Sequence, residues 1–444
     1  EAEERLNEIG EESTLSTEDY IEQKDFLEAA IISLRAAIDW AKRYADEARQ
    51  LAQGEQDNNR KRELEEIAEI CDWVPGNPPR TLHEALQSFL FIHLITHLIE
   101  AYENGVGVRF DLLFYPFYKK DKEEGRITPE GAQELLEFLW LKMEEMTILF
   151  APMLGGGVQG SNLFQTLTIG GVTPQGEDAV NELTYIVLDA CDAMALSQPT
   201  TAIRIHSQTS REFILRVINS IRKRWGTVSL FNDDYVIPRL LGWGIPLEDT
   251  RNYGIEQCMR WTIPGKNIVY RAVDGIIILP GCLELALNRG ARFDGQKLGV
   301  DTPDPLSFSS IDDVIKTFIE QVRFVVEKVA RVANTADVLY EKYLPRPFLS
   351  AVLDDGIRQG KDCRKWFYYP KRTMGYIGAS NVADALAAMK KLIFEEKKVS
   401  MERLLNALKN NWVGEEELRQ VFINGAVKYG NDDDYVDLLA KEVH

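Results

Sequence analysis

Between residues 163 and 231 three short apolar runs, Leu163 to Ile169, Thr200 to His206 and Thr227 to Phe231, alternate with helical stretches at 177–194 and 211–225. Strands alternating with helices at this spacing predict a parallel α/β organisation. The regions on either side read as helical. Residues 19–53 carry apolar side chains at helical spacing with Lys and Glu between them, and Gly54 breaks the run. A second helix ends near Trp73, where a Pro/Gly-rich stretch from Pro75 to Pro79 stops the chain. Thr81 and Glu84 form a capping box opening an apolar helix over 82–103. Thr128-Pro129 opens another, and residues 310–313 cap a long helix that extends towards Tyr343. Helices at 381–395, 400–410 and 414–424 complete the reading.

Composition narrows the function classes. A chain of 444 residues with 45% hydrophobic content can bury a sizeable core. A net charge of −19 argues against nucleic acid, whose phosphates need Lys and Arg. No run of eighteen apolar residues is present, so no membrane span is expected, and Glu1-Ala2-Glu3-Glu4 is no signal peptide. Five cysteines (71, 191, 258, 282 and 363), without Cys/His ligand spacing, fit free thiols in a reducing compartment. The expectation is a cytoplasmic protein without a structural metal. His83, His93 and His97 read as polar residues in or beside a packed helix, since no third ligand is suggested.

One cysteine stands apart. From Thr227 to Arg271 the chain reads as a strand, an Asn232-Asp233-Asp234 turn, a short helix, a helical turn at Leu247 to Arg251, and then Cys258 on an irregular loop. Tyr253, Gly254, Met259 and Trp261 flank it, and Pro264-Gly265 follows. Core cysteines sit inside periodic apolar elements, and this one does not, which marks it as a reactive group.

The segment FNDDYVIP (231–238), GIPLEDTRNYGI (244–255) and the cysteine after it closely resemble the catalytic-cysteine region of the glycyl radical enzymes, the pyruvate formate-lyase-like superfamily. Other blocks agree in order, among them RFDLLFYPFYKKD (109–121), NLFQTLTIGG (162–171), QPTTAIRIH (198–206) and YGNDDDYVD (429–437). The resemblance implies a barrel of strands surrounded by helices, in one core over 1–444. Residues 1–150 would be mainly helical, 151–300 would hold barrel strands and the cysteine loop, and 301–444 would again be helical, with the barrel incomplete in this chain. It also implies a glycyl radical made by a radical SAM activating enzyme, which turns Cys258 into a thiyl radical that abstracts hydrogen from a small organic substrate. A homo-oligomer is expected.

Departures from the family pattern shape the expected chemistry. No radical-bearing glycine is recognised, so a glycyl radical domain is expected on a missing segment or a separate subunit. Gly375, in Arg372-Thr-Met-Gly375-Tyr376, mimics that motif but lies before the wrong block, and Cys282 opens an amphipathic helix and reads as structural. Eliminating members of the family carry a glutamate two residues past the cysteine, where this chain has Arg260. Glu256, two residues before it, is the alternative base. Arg260, Trp261 and Arg271 suggest recognition of a carboxylate, and Tyr253, His206 and Phe164 are further candidate pocket residues. Cys-Met with a downstream Pro-Gly is similar to the benzylsuccinate and alkylsuccinate synthases, so radical addition to fumarate is the first expectation. A lyase, dehydratase or decarboxylase and a non-catalytic scaffold are the alternatives.

Overall fold

The computed structural model describes every residue except 12–13, 101–106, 147–164, 225, 267–274, 367 and 370–373. They fall into two compact units, Glu1–Ala272 with Glu341–Lys371, and Val273–Tyr340 with Arg372–His444.

The first unit is built on three parallel strands in the order β1 (Leu167–Gly170), β2 (Thr201–Ile205) and β3 (Val228–Asn232). Arg109 adds a single parallel bridge to Thr168 at the outer side of β1. The crossover helices Glu182–Met194 and Arg211–Lys223 open on Asn181 and Ser210, whose side chains accept from Thr184 and Phe213 N–H. Leu183, Ile186 and Val187 of the first and Phe213 and Val217 of the second pack on Leu167, Ile169 and Ile203. Every residue of β1 is buried, as parallel strands covered by their own crossovers must be.

The predicted helices are present with shifted ends. Thr17–Gly54 starts at Ser16, whose hydroxyl accepts from Asp19 N–H at 3.1 Å. Its buried face is a ladder of Ala37, Ala41, Ala45, Ala48 and Ala52, small enough for the helix Asn58–Trp73 to approach closely. The capping box at Thr81 is half formed. Thr81 accepts from Glu84 N–H at 3.2 Å, but the Glu84 carboxylate turns back to Arg80 N–H at 2.6 Å and to its guanidinium, a better partner than the Thr81 amide. That α-helix ends at Leu94 and continues as a π-turn, Ile95–Ile99. Leu82–Ile99 matches a membrane span by length and composition, with mean hydropathy 1.2, where the sequence reading saw none. Half of it is buried inside the unit, where Leu82, Ala85 and Leu86 pack into the main core.

His93 and His97 are both buried, their rings stacked at 4.9 Å. Burial pulls the His93 imidazole down to about 3, so it is neutral where it meets Gln165 Oε1 at 2.8 Å. Among the described residues no group of three or more His, Cys, Asp or Glu is arranged to hold a metal.

The second unit pairs β6 (Gly275–Ile278) with β7 (Met374–Ile377) in parallel, and Gly375 lies within that ladder opposite Ile276. The helix Leu279–Leu287 buries Cys282 against Val382, Leu386 and Val436, with the thiol pushed up to about 11 by burial, as a structural cysteine should be. Asp313, rather than a Ser310 hydroxyl, caps the helix Ile311–Tyr343 by accepting from Ser309 and Ser310 N–H. The predicted 381–395 helix is α-helical over Ala379–Met389 and a π-turn over Lys390–Glu395. A last helix, Asp434–Val443, went unpredicted because its Asn431 to Asp433 approach reads as a turn, although Asp433 is its N-cap. Among the described residues the strands form sheets of three, two and two and do not close a ring, in line with the expected incomplete barrel.

A buried ionic cluster anchors the first unit. Arg204 and Asp233, both essentially inaccessible, pair through Nε and Nη2 at 2.8 Å each. Asp233→Ala leaves the Arg204 guanidinium buried and uncompensated, so equilibrium urea unfolding of the purified protein should show a loss of about 3–5 kcal/mol. A change below about 1 kcal/mol would contradict the role given to this pair.

Candidate active site

Cys258 is at the turn of an antiparallel hairpin, β4 (Gly254–Glu256) and β5 (Arg260–Thr262), not on an irregular loop. The loop is Gln257, Cys258 and Met259, with Gln257 at φ +50°, the left-handed residue that lets a chain reverse so tightly. The thiol is exposed. Partial burial nevertheless holds it above the ordinary thiol range, outweighing the pull of the Arg260 charge. At neutral pH it is therefore S–H rather than thiolate.

The hairpin lies across β1 and is tied to it by hydroxyls. Ile255 N–H donates to Thr168 Oγ1 at 2.7 Å, and Thr166 donates to the carbonyl of Gln257. Thr166 and Thr168 share one face of the strand, as alternate residues do. At the other end of the hairpin the Arg204 guanidinium donates to the carbonyls of Tyr253 at 2.7 Å and Arg251 at 2.9 Å. Arg109 donates to the Gly170, Val172 and Arg251 carbonyls, and Asp111 accepts from Gly170 N–H and the Thr184 hydroxyl. Gly171 has to be glycine: a Cβ there would come within 2.7 Å of both Arg204 and Asp233, and its φ is +74°. A Cβ on Gly254 would fall 2.5 Å from the Gly107 carbonyl, so the hairpin and the 107–109 segment meet backbone to backbone.

The pairing register sorts the candidate residues. Glu256 lies opposite Arg260, and Ile255 opposite Trp261. Strand alternation puts the first pair on one face of the hairpin and the second on the other. Glu256 is buried, with Oε1 3.7 Å from Arg260 Nη1, and Arg260 Nη2 donates to Gln257 Oε1 at 3.0 Å. Trp261 instead is partly buried against Val236, Leu240 and Ile263, its ring tilted 35° to that of Trp243 at 5.5 Å, so it faces the core. Tyr253 is fully buried, its hydroxyl donating to Asp233 at 2.7 Å and its ring 3.8 Å below the Arg204 guanidinium. It holds the base of the hairpin and does not line a pocket with Cys258. His206 follows the C-terminal end of β2, its imidazole 3.5 Å from Asp178. The Cys258 turn meets the same sheet at Thr166 and Thr200, at the opposite end, roughly 20 Å away at strand rise. Phe164 and Arg271 lie outside the described residues. The sequence reading gave no task to Thr166, Thr168, Arg204 or Asp233. The first three stand at polar positions in otherwise apolar runs, and Asp233 reads only as part of the polar turn after β3.

Fold and site define an α/β protein that presents an accessible, protonated thiol on a rigid hairpin next to a carboxylate–guanidinium pair. The pyruvate formate lyase-like family profile matches residues 1–444. The chain is 34% identical over 431 residues to trans-4-hydroxy-L-proline dehydratase of Clostridioides difficile, covering 96% of this chain and 54% of that enzyme. It is also 34% identical over 451 residues to isethionate sulfite-lyase of Nitratidesulfovibrio vulgaris, covering 99% and 54%. The glycerol-bound B12-independent glycerol dehydratase of Clostridium butyricum superposes with a TM-score of 0.91 at 32% identity, over 100% of this chain and 55% of that one. The chain spans about half the length of the curated relatives it matches. It belongs to the pyruvate formate lyase-like family of glycyl radical enzymes. These relatives are named for dehydration and lyase reactions, and the fumarate addition first expected from the sequence finds no support among them.

Alkylation of Cys258 by iodoacetamide, followed by peptide mass spectrometry against pH, should rise through an inflection above the value of about 8.5 for a free thiol. An inflection below it would show a thiolate site and contradict the protonated thiol described above.

Proposed function

We propose that this chain is the cysteine-bearing part of a glycyl radical dehydratase or lyase acting on a small substrate that carries an acidic group. The observation that carries this reading is the placement of a protonated Cys258 at the tip of a hairpin whose adjoining residues, Glu256 and Arg260, share one face. A glycyl radical of the kind the family uses, made by a radical SAM activating enzyme, would supply the oxidising equivalent, and the Cys258 thiol would give up its hydrogen atom. A thiol that stays S–H fits that demand, whereas a thiolate has no hydrogen atom to give.

Cys258 Sγ then takes one hydrogen atom from the substrate carbon next to the bond that breaks, and later returns it to the product carbon, so the cysteine is unchanged over a cycle. Between these transfers a proton must leave the oxygen on the activated carbon while the leaving group departs with its electron pair. Glu256 accepts that proton and delivers it to the leaving group. The base two residues past the cysteine in eliminating members is thus replaced by one two residues before it. In this register the two positions are cross-strand neighbours about 5 Å apart, so the carboxylate reaches nearly the same spot from the other strand. Arg260, where the usual glutamate stands, faces Glu256 at 3.7 Å and brings a guanidinium, suited to an acidic group, to the same face of the hairpin. Arg271 is assigned as a second anion clamp and Phe164 as a pocket wall.

The test uses the activated holoenzyme. Cys258→Ala should keep the glycyl radical signal in electron paramagnetic resonance and lose all measurable turnover; turnover that persists would sink the reading. Glu256→Gln should lower kcat by about 10²–10⁴-fold, and an unaltered kcat would remove Glu256 as the base.

A further inference from the structure

We infer that Thr166 is a positioning residue for the hydrogen-transfer step, its hydroxyl clamping the Gln257 carbonyl and so fixing where the Cys258 sulfur stands. This deepens the reading of Cys258 given above and rests on it.

Thr166 is buried, 1% accessible, immediately before β1. Its Oγ1 contacts the Gln257 carbonyl oxygen and lies 2.8 Å from Thr200 Oγ1. A carbonyl can only accept, and a threonine hydroxyl has one proton, so Thr166 donates to Gln257. Its bond with Thr200 must then run the other way, with Thr200 donating to Thr166. The result is an ordered relay, Thr200 to Thr166 to Gln257, whose members polarise each other in a buried setting. The residue it holds is the one with a left-handed backbone, at φ +50° with a side chain, a conformation that survives only where its surroundings impose it. Gln257 precedes Cys258 directly, so rotation of that carbonyl carries the thiol with it.

The surroundings show that this end of the sheet is built to be stiff. Gln165, next to Thr166, donates its amide N–H to Gln198 Oε1 at 2.7 Å and its side-chain NH₂ to the Met143 carbonyl at 2.7 Å, while its Oε1 faces the neutral His93. The residue preceding the clamp is therefore tied to three other segments. Hydrogen-atom transfer depends steeply on donor–acceptor distance, and a displacement of about 1 Å at a reacting atom can lower a rate by about 100-fold.

The test compares Thr166→Val, which keeps the shape and removes the hydroxyl, with Thr166→Ser, which restores it. In the activated holoenzyme Thr166→Val should lower kcat by about 10- to 100-fold, with KM within twofold and the glycyl radical signal at the wild-type level, and Thr166→Ser should recover most of the loss. Thr200→Ala, which leaves the Gln257 bond in place, should cost less, and it serves as the test if Thr166→Val does not fold. A kcat within twofold of wild type in Thr166→Val, or a loss that serine does not rescue, would overturn the inference; for Thr200→Ala, a loss equal to that of Cys258→Ala would do so. A second readout needs no turnover: iodoacetamide should alkylate Cys258 several-fold faster in Thr166→Val than in wild type or Thr166→Ser, and an unchanged rate would also overturn the clamp. Turnover by Cys258→Ala would remove the assignment of the reaction to Cys258, and the alkylation rates would then decide the clamp separately.

Discussion

The pairing of Arg204 with Asp233 is the interaction on which the rest of the first unit depends. Two ions taken out of water lose several kcal/mol of hydration each, so such a pair persists only where good geometry and further hydrogen bonds offset that loss. Here all three guanidinium nitrogens and both carboxylate oxygens have partners. Arg204 divides its N–H groups between the carboxylate and the carbonyls of Tyr253 and Arg251, and Asp233 also receives Val172 N–H and the Tyr253 hydroxyl. The matched groups come from β2, from the residue after β3, from the turn after β1 and from the approach to the hairpin. A shift of any one segment would strand a buried charge, so the pair fixes register more than it adds stability. Gly171 is part of the same constraint, since any side chain there would collide with both ions.

From this anchor the hairpin runs back across the sheet towards Cys258, held by threonine hydroxyls in place of ladder hydrogen bonds. The arrangement separates two tasks. The core face, Ile255 and Trp261, packs with Val236, Leu240 and Ile263 and sets the tilt of the hairpin, while the other face carries Glu256 and Arg260. A thiol that is to exchange hydrogen atoms, as proposed for this site, needs a fixed position and a retained proton, and partial burial of Cys258 favours the proton's retention. Activation by proton removal, the usual way to make a cysteine reactive, would defeat this chemistry.

The exchange of Arg260 for the usual glutamate bears differently on the site once the hairpin is seen. Read along the chain, it removes the base of an elimination and points away from the dehydratases and lyases that the chain resembles at 34% identity. Read across the hairpin, the glutamate has moved to the facing strand and a guanidinium stands beside it. The hairpin thus carries a carboxylate with a guanidinium beside it, the pair on which the proposed elimination rests.

By itself the sequence determined the parallel α/β class and the principal helices, because each is written in local signals: apolar periodicity and Ser, Thr and Asp caps. It also singled out Cys258, a thiol outside any periodic element, with Glu256 and Arg260 as its candidate neighbours. Only the tertiary structure decided which candidates share a site. Tyr253 and Trp261 lie within five residues of Cys258 in the chain, yet Tyr253 is buried at the base of the hairpin and the register turns Trp261 towards the core. His206 follows β2, whose other end adjoins Thr166 beneath the Cys258 turn, so extended geometry carries it away. Thr166 is 92 residues from Cys258 and carries no local mark of its task. Its role arises from a backbone carbonyl brought to it by the fold, and a contact of that kind leaves no pattern in the order of residues.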